Sequence, residues 1–299
     1  MKTSTRLRIA IQKNGRLNSD SMDLLFHCGL KIRATQKALY CHAENLPIDI
    51  LFVRDDDIPT LVMDGVCDLG IVGENVLLEQ ALEHKENGSK KEFDTIKKLG
   101  FSRCRLSIAM PNDKTFTDAN TLQNCRIATS YPNLLRDYLK RHHVKAEVMT
   151  IAGSVEVAPR LDMADAICDL VSTGATLEEN NLKEVDTVIH SQAVLIKTKN
   201  TLTPEKTETL ELLIRRIEGV LKAQESKYIM FHAPKSSLAS IKSILPGCET
   251  PTIMFLEGVD DKVAVHVVSS EGVFWSTLEK LKQAGASSIL VLPIEKMLS

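Results

Sequence analysis

The sequence predicts an α/β protein with two lobes of mostly parallel sheet covered by helices, followed by a smaller β-α-β-β-α-β unit. Three observations carry this. Short apolar runs alternate with helical patterns along the first two thirds of the chain, which is the signature of strands joined through covering helices. A length of 299 residues with 43% apolar and only 4% aromatic content gives enough material for more than one α/β core. Beyond a long amphipathic helix, the pattern changes near Glu225.

Leu7 to Ile11, Ile48 to Val53, Leu69 to Val72 and Leu106 to Met110 read as strands, with helical patterns such as Ser21 to Cys28 and Pro59 to Gly65 between them. A second set follows: strands at Arg126 to Thr129, Ala146 to Met149 and Ala166 to Leu170, with helices near Leu134 to Arg141 and Val155 to Leu161. Val185 to Lys197 is long for one strand and is expected to return the chain to the first lobe. Lobe I is therefore assigned to residues 1–100 and 182–224, and lobe II to 101–181, with a ligand cleft between them. Pro204 opens the long helix. Residues 225–299 then read as strand Lys227 to Ala233, helix Ser236 to Leu245 stopped by Pro246-Gly247, strands Thr252 to Leu256 and Val263 to Ser269, helix Gly272 to Ala284 and strand Ser287 to Leu292. This order is ferredoxin-like. Such domains attached to enzymes bind small regulators, and a purely oligomerising domain fits the order as well.

The 37 basic and 39 acidic residues nearly cancel, so no whole-protein field draws the chain to nucleic acid or to a membrane surface. Neither a signal-peptide core nor a membrane-length apolar run is found, and a cytoplasmic protein is expected. Seven cysteines without a C-x-x-C pair are expected to be reduced thiols, and eight histidines without ligand spacing suggest no structural metal.

Asp165 to Thr176, D-A-I-C-D-L-V-S-T-G-A-T, carries the strongest chemical signal. A buried strand runs into a loop of small hydroxyl residues and glycine, which opens a helix at about Thr176. Unpaired N–H groups and the dipole at a helix start favour an anion, and Gly174 and Ala175 let a phosphate approach the main chain. Asp169 repels phosphate but accepts from sugar hydroxyls, so the pair suits a ribose 5-phosphate. An ordinary strand-to-helix turn with a threonine cap is the alternative. Lys13-Asn14-Gly15-Arg16 follows the first strand, where two cations around a glycine suit a polyphosphate, or where a solvated turn precedes a helix capped by Asn18, Ser19 or Asp20. Arg54 stands at the end of the next strand, before Asp55-Asp56-Asp57-Ile58-Pro59; Glu74 and Asn75 end a third, as sugar or base contacts or as a simple helix cap. Ser154 reads as the cap of a helix with Glu156 in its first turn, and Glu156 could share the ribose hydroxyls with Asp169. Arg103 and Arg105, alternating around Cys104, are further polyphosphate candidates. No nucleophilic triad is suggested, so no covalent catalytic residue is assigned.

These residues resemble the long-form ATP phosphoribosyltransferases, which catalyse the first step of histidine biosynthesis. The likeness runs through K-N-G-R-L (13–17), R-D-D-D-I-P (54–59), D-L-G-I-V-G-E-N-V-L (68–77), R-I-A-T-S-Y-P (126–132), G-S-V-E-V-A-P-R (153–160), D-A-I-C-D-L-V-S-T-G-A-T-L (165–177), E-S-K-Y-I-M (225–230) and A-S-S-I-L-V-L-P-I-E-K-M (286–297). It covers essentially the whole chain, with Asn14 where serine is expected. The resemblance implies a type II periplasmic-binding-protein-like catalytic unit and a regulatory carboxy-terminal domain. It implies that Ser172, Thr173, Gly174, Ala175 and Thr176 hold the 5-phosphate of phosphoribosyl pyrophosphate, with Asp169 and Glu156 on its ribose. Lys13, Arg16, Arg54, Glu74, Asn75 and Arg103 would serve ATP and the polyphosphates, and Mg²⁺ would be held mainly by substrate phosphates and water. Histidine would inhibit through the last domain, where His232, Thr252 and Ser288 are the candidate contacts, in a homo-oligomer (dimer, hexamer). Two other readings share the architecture: a two-lobed ligand sensor, for which no helix-turn-helix or basic region is found, and a hydroxymethylbilane-synthase-like enzyme, for which Cys248 would carry the cofactor.

Overall fold

The computed structural model describes residues 5–33, 38–87, 93–244 and 251–297; Pro246, Gly247 and Cys248 lie outside the described residues. In chain order the elements are β1 (Leu7–Gln12), α1 (Arg16–His27), β2 (Tyr40–His42), β3 (Ile48–Val53), α2 (Ile58–Met63), β4 (Leu69–Gly73), α3 (Glu74–Asn87) and β5 (Phe93–Lys98). There follow β6 (Cys104–Pro111), β7 (Arg126–Thr129), α4 (Pro132–Arg141), β8 (Glu147–Thr150), β9 (Ala166–Val171), α5 (Ala175–Glu179), β10 (Leu182–Ser191), β11 (Ala193–Thr198) and α6 (Pro204–Gln224). The last segment contains β12 (Ser226–Pro234), α7 (Leu238–Ile244), β13 (Thr252–Leu256), β14 (Val259–Ser270), α8 (Glu271–Gln283) and β15 (Ser287–Pro293).

The first sheet has the order β2-β3-β1-β4-β11-β5, and the second β10-β6-β9-β7-β8. In the first, β1 runs parallel to β3 and β4, in register from Leu7 against Ile48 to Gln12 against Val53, while β11 is antiparallel to β4 and β5. In the second, β7 is parallel to β8 and β9, and β6 is antiparallel to β9 and β10. Leaving aside the short edge strand β2, both sheets read second, first, third, crossover, fourth. That shared order is the type II two-lobed topology the sequence led us to expect. The two crossover segments are tied to each other, because Leu99 N–H donates to the Ala193 carbonyl (2.9 Å) and Ala193 N–H to the Phe101 carbonyl (3.0 Å).

Strand β1 is buried in the first lobe, with Leu7, Ile9, Ala10 and Ile11 fully enclosed and Ala10 clustered with Ile58 and Val62 of α2. Close approach explains Gly70: a methyl there would lie 2.6 Å from Ile58 Cγ2 and 3.1 Å from Val62 Cγ2, so α2 could not seat on β4. In the second lobe α4 places Leu134, Leu135, Tyr138 and Leu139 on Leu106, Ile108, Ile127 and Ala166, the 3.6-residue stripe its sequence shows.

Several boundaries move. Val185 to Lys197 is two strands broken at Gln192. β10 completes the second sheet, so the chain re-enters the first at Ala193 rather than at residue 182. Residues Val155–Leu161 form a 3-10 turn rather than an α-helix, with Pro159 inside, and Ser154 makes no side-chain cap. α1 starts at Arg16, ahead of the Asn18-Ser19-Asp20 caps expected; Gly15 at φ +88° makes the turn, and Asn18 Nδ2 donates back to the Gln12 carbonyl (2.6 Å).

By internal contacts the chain divides into Met1–Asp23 with Lys31–Thr209, and Leu24–Leu30 with Leu210–Ser299. The second unit contains the sheet β13-β14-β12-β15, with neighbouring strands antiparallel, the ferredoxin-like order expected. Its core joins Ile229, Phe231, Val263, Val265 and Val267 to Ile241 and Leu281 of the two helices. Within this unit Arg216 Nη1 donates to the Cys28 carbonyl (3.0 Å) and Met297 N–H to the Gly219 carbonyl (3.1 Å), so the later part of α6 clusters with the last segment rather than ending a unit at Glu225.

Candidate active site

The carboxyl ends of β1, β3 and β4 lie side by side in lobe I and carry the expected cations. Lys13 N–H donates to the Val53 carbonyl (2.8 Å), which puts Lys13 and Arg54 at adjacent strand ends, both exposed. Arg16 begins α1 one turn later and is also exposed. Glu74 Oε1 pairs with Lys98 Nζ at 2.9 Å. Asn75 is 5% exposed and wholly occupied: its Oδ1 accepts from Ser191 Oγ (2.8 Å) and its Nδ2 donates to Tyr131 OH (2.9 Å). Both ends of the amide are therefore spent inside the protein, and the sugar or base contact expected of it is not available in this structure.

Lobe II supplies the other wall. β9 delivers Asp169 half-buried, and the chain then turns through Ser172, Thr173 and Gly174 into α5. The helix begins at Ala175, one residue before the expected Thr176, and Thr173 Oγ1 accepts from the Ala175 N–H (3.5 Å). Gly174 takes the cap position at φ +91°, where a methyl would meet nothing within 4 Å, so the glycine is required by backbone conformation and not by space. Burial raises the Asp169 carboxyl above the usual range, and the Glu156 charge adds to this, while its own Leu170 N–H bond (2.8 Å) opposes it. The Glu156 charge therefore bears on the Asp169 carboxyl.

Two devices absent from the sequence-based expectations hold this wall. Arg105, expected to meet polyphosphate, instead grips Glu184 side-on through Nε and Nη2 and donates from Nη1 to the Ser172 carbonyl (3.3 Å), and Ser107 Oγ donates to Glu184 as well (2.8 Å). Arg105 thus braces the loop from behind. Arg103 is exposed and turns back to the Gly100 carbonyl (3.0 Å). Tyr131, at the start of α4, is buried enough that its phenol is pushed well up, with Asp55 and Asp56 of lobe I and Asp169 of lobe II adding to the shift.

The lobes meet through the site residues themselves. Arg16 Nη1 of lobe I donates to Ser172 Oγ of the lobe II loop at 2.6 Å, which closes the distance between the cationic strand ends and the hydroxyl loop. An arginine aimed at a small-residue loop beside two sugar-competent carboxylates is an arrangement for anionic, ribose-bearing ligands.

Residues 54–219 match the family model described as HisG, ATP phosphoribosyltransferase, and residues 223–296 match HisG, C-terminal domain. The chain belongs to the ATP phosphoribosyltransferase family. The second match makes it a long-form member, a glycosyltransferase of histidine biosynthesis. Among solved structures, the ATP phosphoribosyl transferase (HisG:HisZ) complex from Thermotoga maritima is 26% identical with a TM-score of 0.58, covering 71% of this chain and 98% of that one. The arginine-bound ArgBP from T. maritima is 13% identical with a TM-score of 0.45, covering 72% of this chain and 95% of that one. The substrate binding protein of an amino acid ABC transporter is 12% identical with a TM-score of 0.46, covering 71% and 91%.

In the last domain of this phosphoribosyltransferase, the three residues expected to contact histidine lie on three different strands, with His232 paired to the immediate neighbour of Ser288. His232 pairs in register with Ala264 and Ser287, while Thr252 pairs with His266 on the other side of β14. Ser288, at φ +53°, lines a hollow of about 510 Å³ with Lys227, Trp275, Leu278 and Lys282. No helix among the described residues is long and apolar enough to cross a membrane.

Proposed function

We propose that adenine N1 of ATP attacks C1 of phosphoribosyl pyrophosphate, expelling pyrophosphate, in the cleft between lobes I and II. The observation that carries this reading is the 2.6 Å bond from Arg16 to Ser172, which joins a phosphate-competent cation to the hydroxyl loop across that cleft. The Ser172–Thr176 turn takes the 5-phosphate, with Asp169 and Glu156 accepting from the ribose hydroxyls. Lys13, Arg16 and Arg54 neutralise the polyphosphates, with Glu74 at the edge of the same strand ends. As the bond to pyrophosphate lengthens, positive charge builds on the ribose, and the negative charges of Asp169 and Glu156 favour it. Most of the catalysis is orientation of two substrates and cancellation of charge, so no protein nucleophile is needed.

Mg²⁺ fits as an ion held through substrate. Among the described residues no three His, Cys, Asp or Glu groups converge, while the Asp169 and Glu156 pair suits an ion that keeps phosphate oxygens and water as its main ligands. When bound, the ion supplies charge neutralisation of the leaving pyrophosphate.

Histidine is proposed to inhibit through the carboxy-terminal domain. The hollow beside Ser288, with lysines to meet a carboxylate, supports this. A homo-oligomer is part of the same reading, supported by the exposed apolar side chains Met254, Leu290 and Leu292 on that domain's sheet. The free thiols of Cys28, Cys41, Cys67, Cys104, Cys125 and Cys168 support a reducing, cytoplasmic setting. The test is pyrophosphate release with ATP, phosphoribosyl pyrophosphate and Mg²⁺, each omitted in turn and then repeated with histidine. Release must need all three and fall with histidine; release without ATP would overturn the reading.

A further inference from the structure

Helix α3 of lobe I carries two polar side chains one turn apart onto the start of helix α4 of lobe II. Asn75 donates to Tyr131 OH, and is itself fixed by Ser191 Oγ, which donates to Asn75 Oδ1 (2.8 Å) and accepts from Asn75 N–H (3.0 Å). Four residues on, Glu79 Oε1 accepts from Asn133 N–H (2.8 Å) and its Oε2 from Leu134 N–H (2.9 Å). Those N–H groups belong to the first turn of α4, where no intrahelical acceptor exists. Tyr131 precedes that turn and makes no side-chain cap of its own, and Pro132 has no N–H to offer. A helix start that would ordinarily be capped from its own chain is capped here from the opposite lobe.

The inter-lobe bonds are of two kinds. Arg16 and Ser172 are ligand-competent groups, so an incoming phosphate takes over their contact. The α3 groups are engaged inside the protein instead, because each Glu79 oxygen accepts from α4 and each end of the Asn75 amide is bonded to Ser191 or Tyr131. They also sit beside the crossover: Ser191 ends β10 immediately before the chain enters lobe I, and Glu74 N–H donates to the Gln192 carbonyl (3.0 Å). Tyr131 joins the two lobes within the same stretch, since its OH accepts from Asn75 of lobe I and its own N–H donates to Thr129 Oγ1 of lobe II (2.9 Å).

We propose that Asn75 and Glu79 are positioning residues that clamp the start of α4, Tyr131 to Leu134, to lobe I and thereby set the separation across which the phosphoribosyl group is transferred. The inference rests on the transfer reaction proposed above. It separates the roles of neighbouring residues in one motif: Glu74 at the strand end faces solvent and Lys98, whereas Asn75 and Glu79 face the other lobe.

The test uses the full-length protein with Glu79→Gln, which keeps size but turns an amide NH₂ toward an N–H donor, and Tyr131→Phe, which removes only the hydroxyl. In Glu79→Gln, exchange of one of the two amides, Asn133 or Leu134, with solvent accelerates by about tenfold or more, because the NH₂ that replaces one carboxylate oxygen cannot accept from it. Turnover falls by about tenfold in Glu79→Gln and less in Tyr131→Phe, while calorimetric affinity for phosphoribosyl pyrophosphate alone changes by less than about threefold. A kcat loss with retained binding is the mark of misplaced lobes. Unchanged turnover in both variants overturns the proposal, and so does an affinity loss as large as the kcat loss. If the unsubstituted protein releases no pyrophosphate, the reaction fails; unaltered amide exchange in Glu79→Gln would independently overturn the clamp.

Discussion

Gly73→Ala is expected to be among the costliest single-methyl additions in the catalytic unit. Gly73 ends β4 outside the left-handed region, so alanine meets no backbone penalty. Its methyl, however, would lie 2.3 Å from Asn75 Oδ1 and 3.3 Å from Asn75 Cγ. The amide must leave its place. Two side-chain hydrogen bonds are then lost, to Ser191 and to Tyr131, in a site where Asn75 and Ser191 are each 5% exposed. Two buried bonds at about 0.5–1.5 kcal/mol each, plus about 1–3 kcal/mol for polar groups left without partners, give a loss of roughly 2–6 kcal/mol. At roughly 2–4 °C per kcal/mol for a unit of this size, the melting temperature falls by about 4–24 °C. Gly174→Ala is the control. Its methyl meets nothing, so only the left-handed backbone is paid for, at about 1–2 kcal/mol. Scanning calorimetry and urea unfolding of both variants measure the difference. A Gly73→Ala protein within about 0.5 kcal/mol of the parent, or one less damaged than Gly174→Ala, would refute the tight coupling of Gly73 to Asn75.

Arg16→Lys loses the guanidinium bond to Ser172 and is expected to raise the half-saturating concentration of at least one substrate by about tenfold, since a point charge cannot replace the planar guanidinium; unchanged saturation by both removes Arg16 from the site. Asp169→Asn and Thr173→Val weaken phosphoribosyl pyrophosphate binding in calorimetry without unfolding the protein. Asp169 has a raised folded-state pKa, so its contribution to stability is present at low pH and lost as pH rises through that value; Asp169→Asn is therefore expected to be at least as stable as the parent at neutral pH while binding ligand less well, and the reverse pattern would contradict the assignment. Glu184 behaves oppositely. The Arg105 bond holds its carboxyl below the usual range, so its stabilisation is complete above the ordinary carboxylate pKa of about 4.3 and is lost as pH falls through the lower folded value. Arg105→Ala should remove that acid-limb dependence in urea midpoints measured against pH.

The sheet pattern was legible because parallel strands buried on both faces leave continuous apolar runs, as at Ile48 to Val53, and because Asp165 to Thr176 concentrates turn, hydroxyl and carboxylate signals in one stretch. What was not legible depends on partners far away in the chain. Arg105 reads as a free cation until Glu184 is placed 79 positions along, and Glu79 reads as one more solvated helix charge until Asn133 and Leu134 come to it from the other lobe. Its spacing of four from Asn75 was the available clue, since that spacing puts both on one face of α3. The break at Gln192 was hidden because apolar residues flank it, Val188 and Ile189 before and Ala193 and Val194 after, with no glycine or proline between, although β10 and β11 belong to different sheets. Ser154 resembles a cap in sequence but sits at φ +51°, where a short polar side chain is tolerated and the chain turns before a 3-10 segment.

The central claim is the bond that forms. Phosphoribosyl pyrophosphate labelled with a magnetic carbon isotope at C1 and ATP labelled with a magnetic nitrogen isotope at N1 are incubated with the full-length protein and Mg²⁺, and the product is read by nuclear magnetic resonance. A one-bond coupling between that carbon and that nitrogen, appearing together with pyrophosphate, is the predicted result. Labelled ribose attached at any other atom of ATP, or both substrates recovered unchanged, would contradict the account.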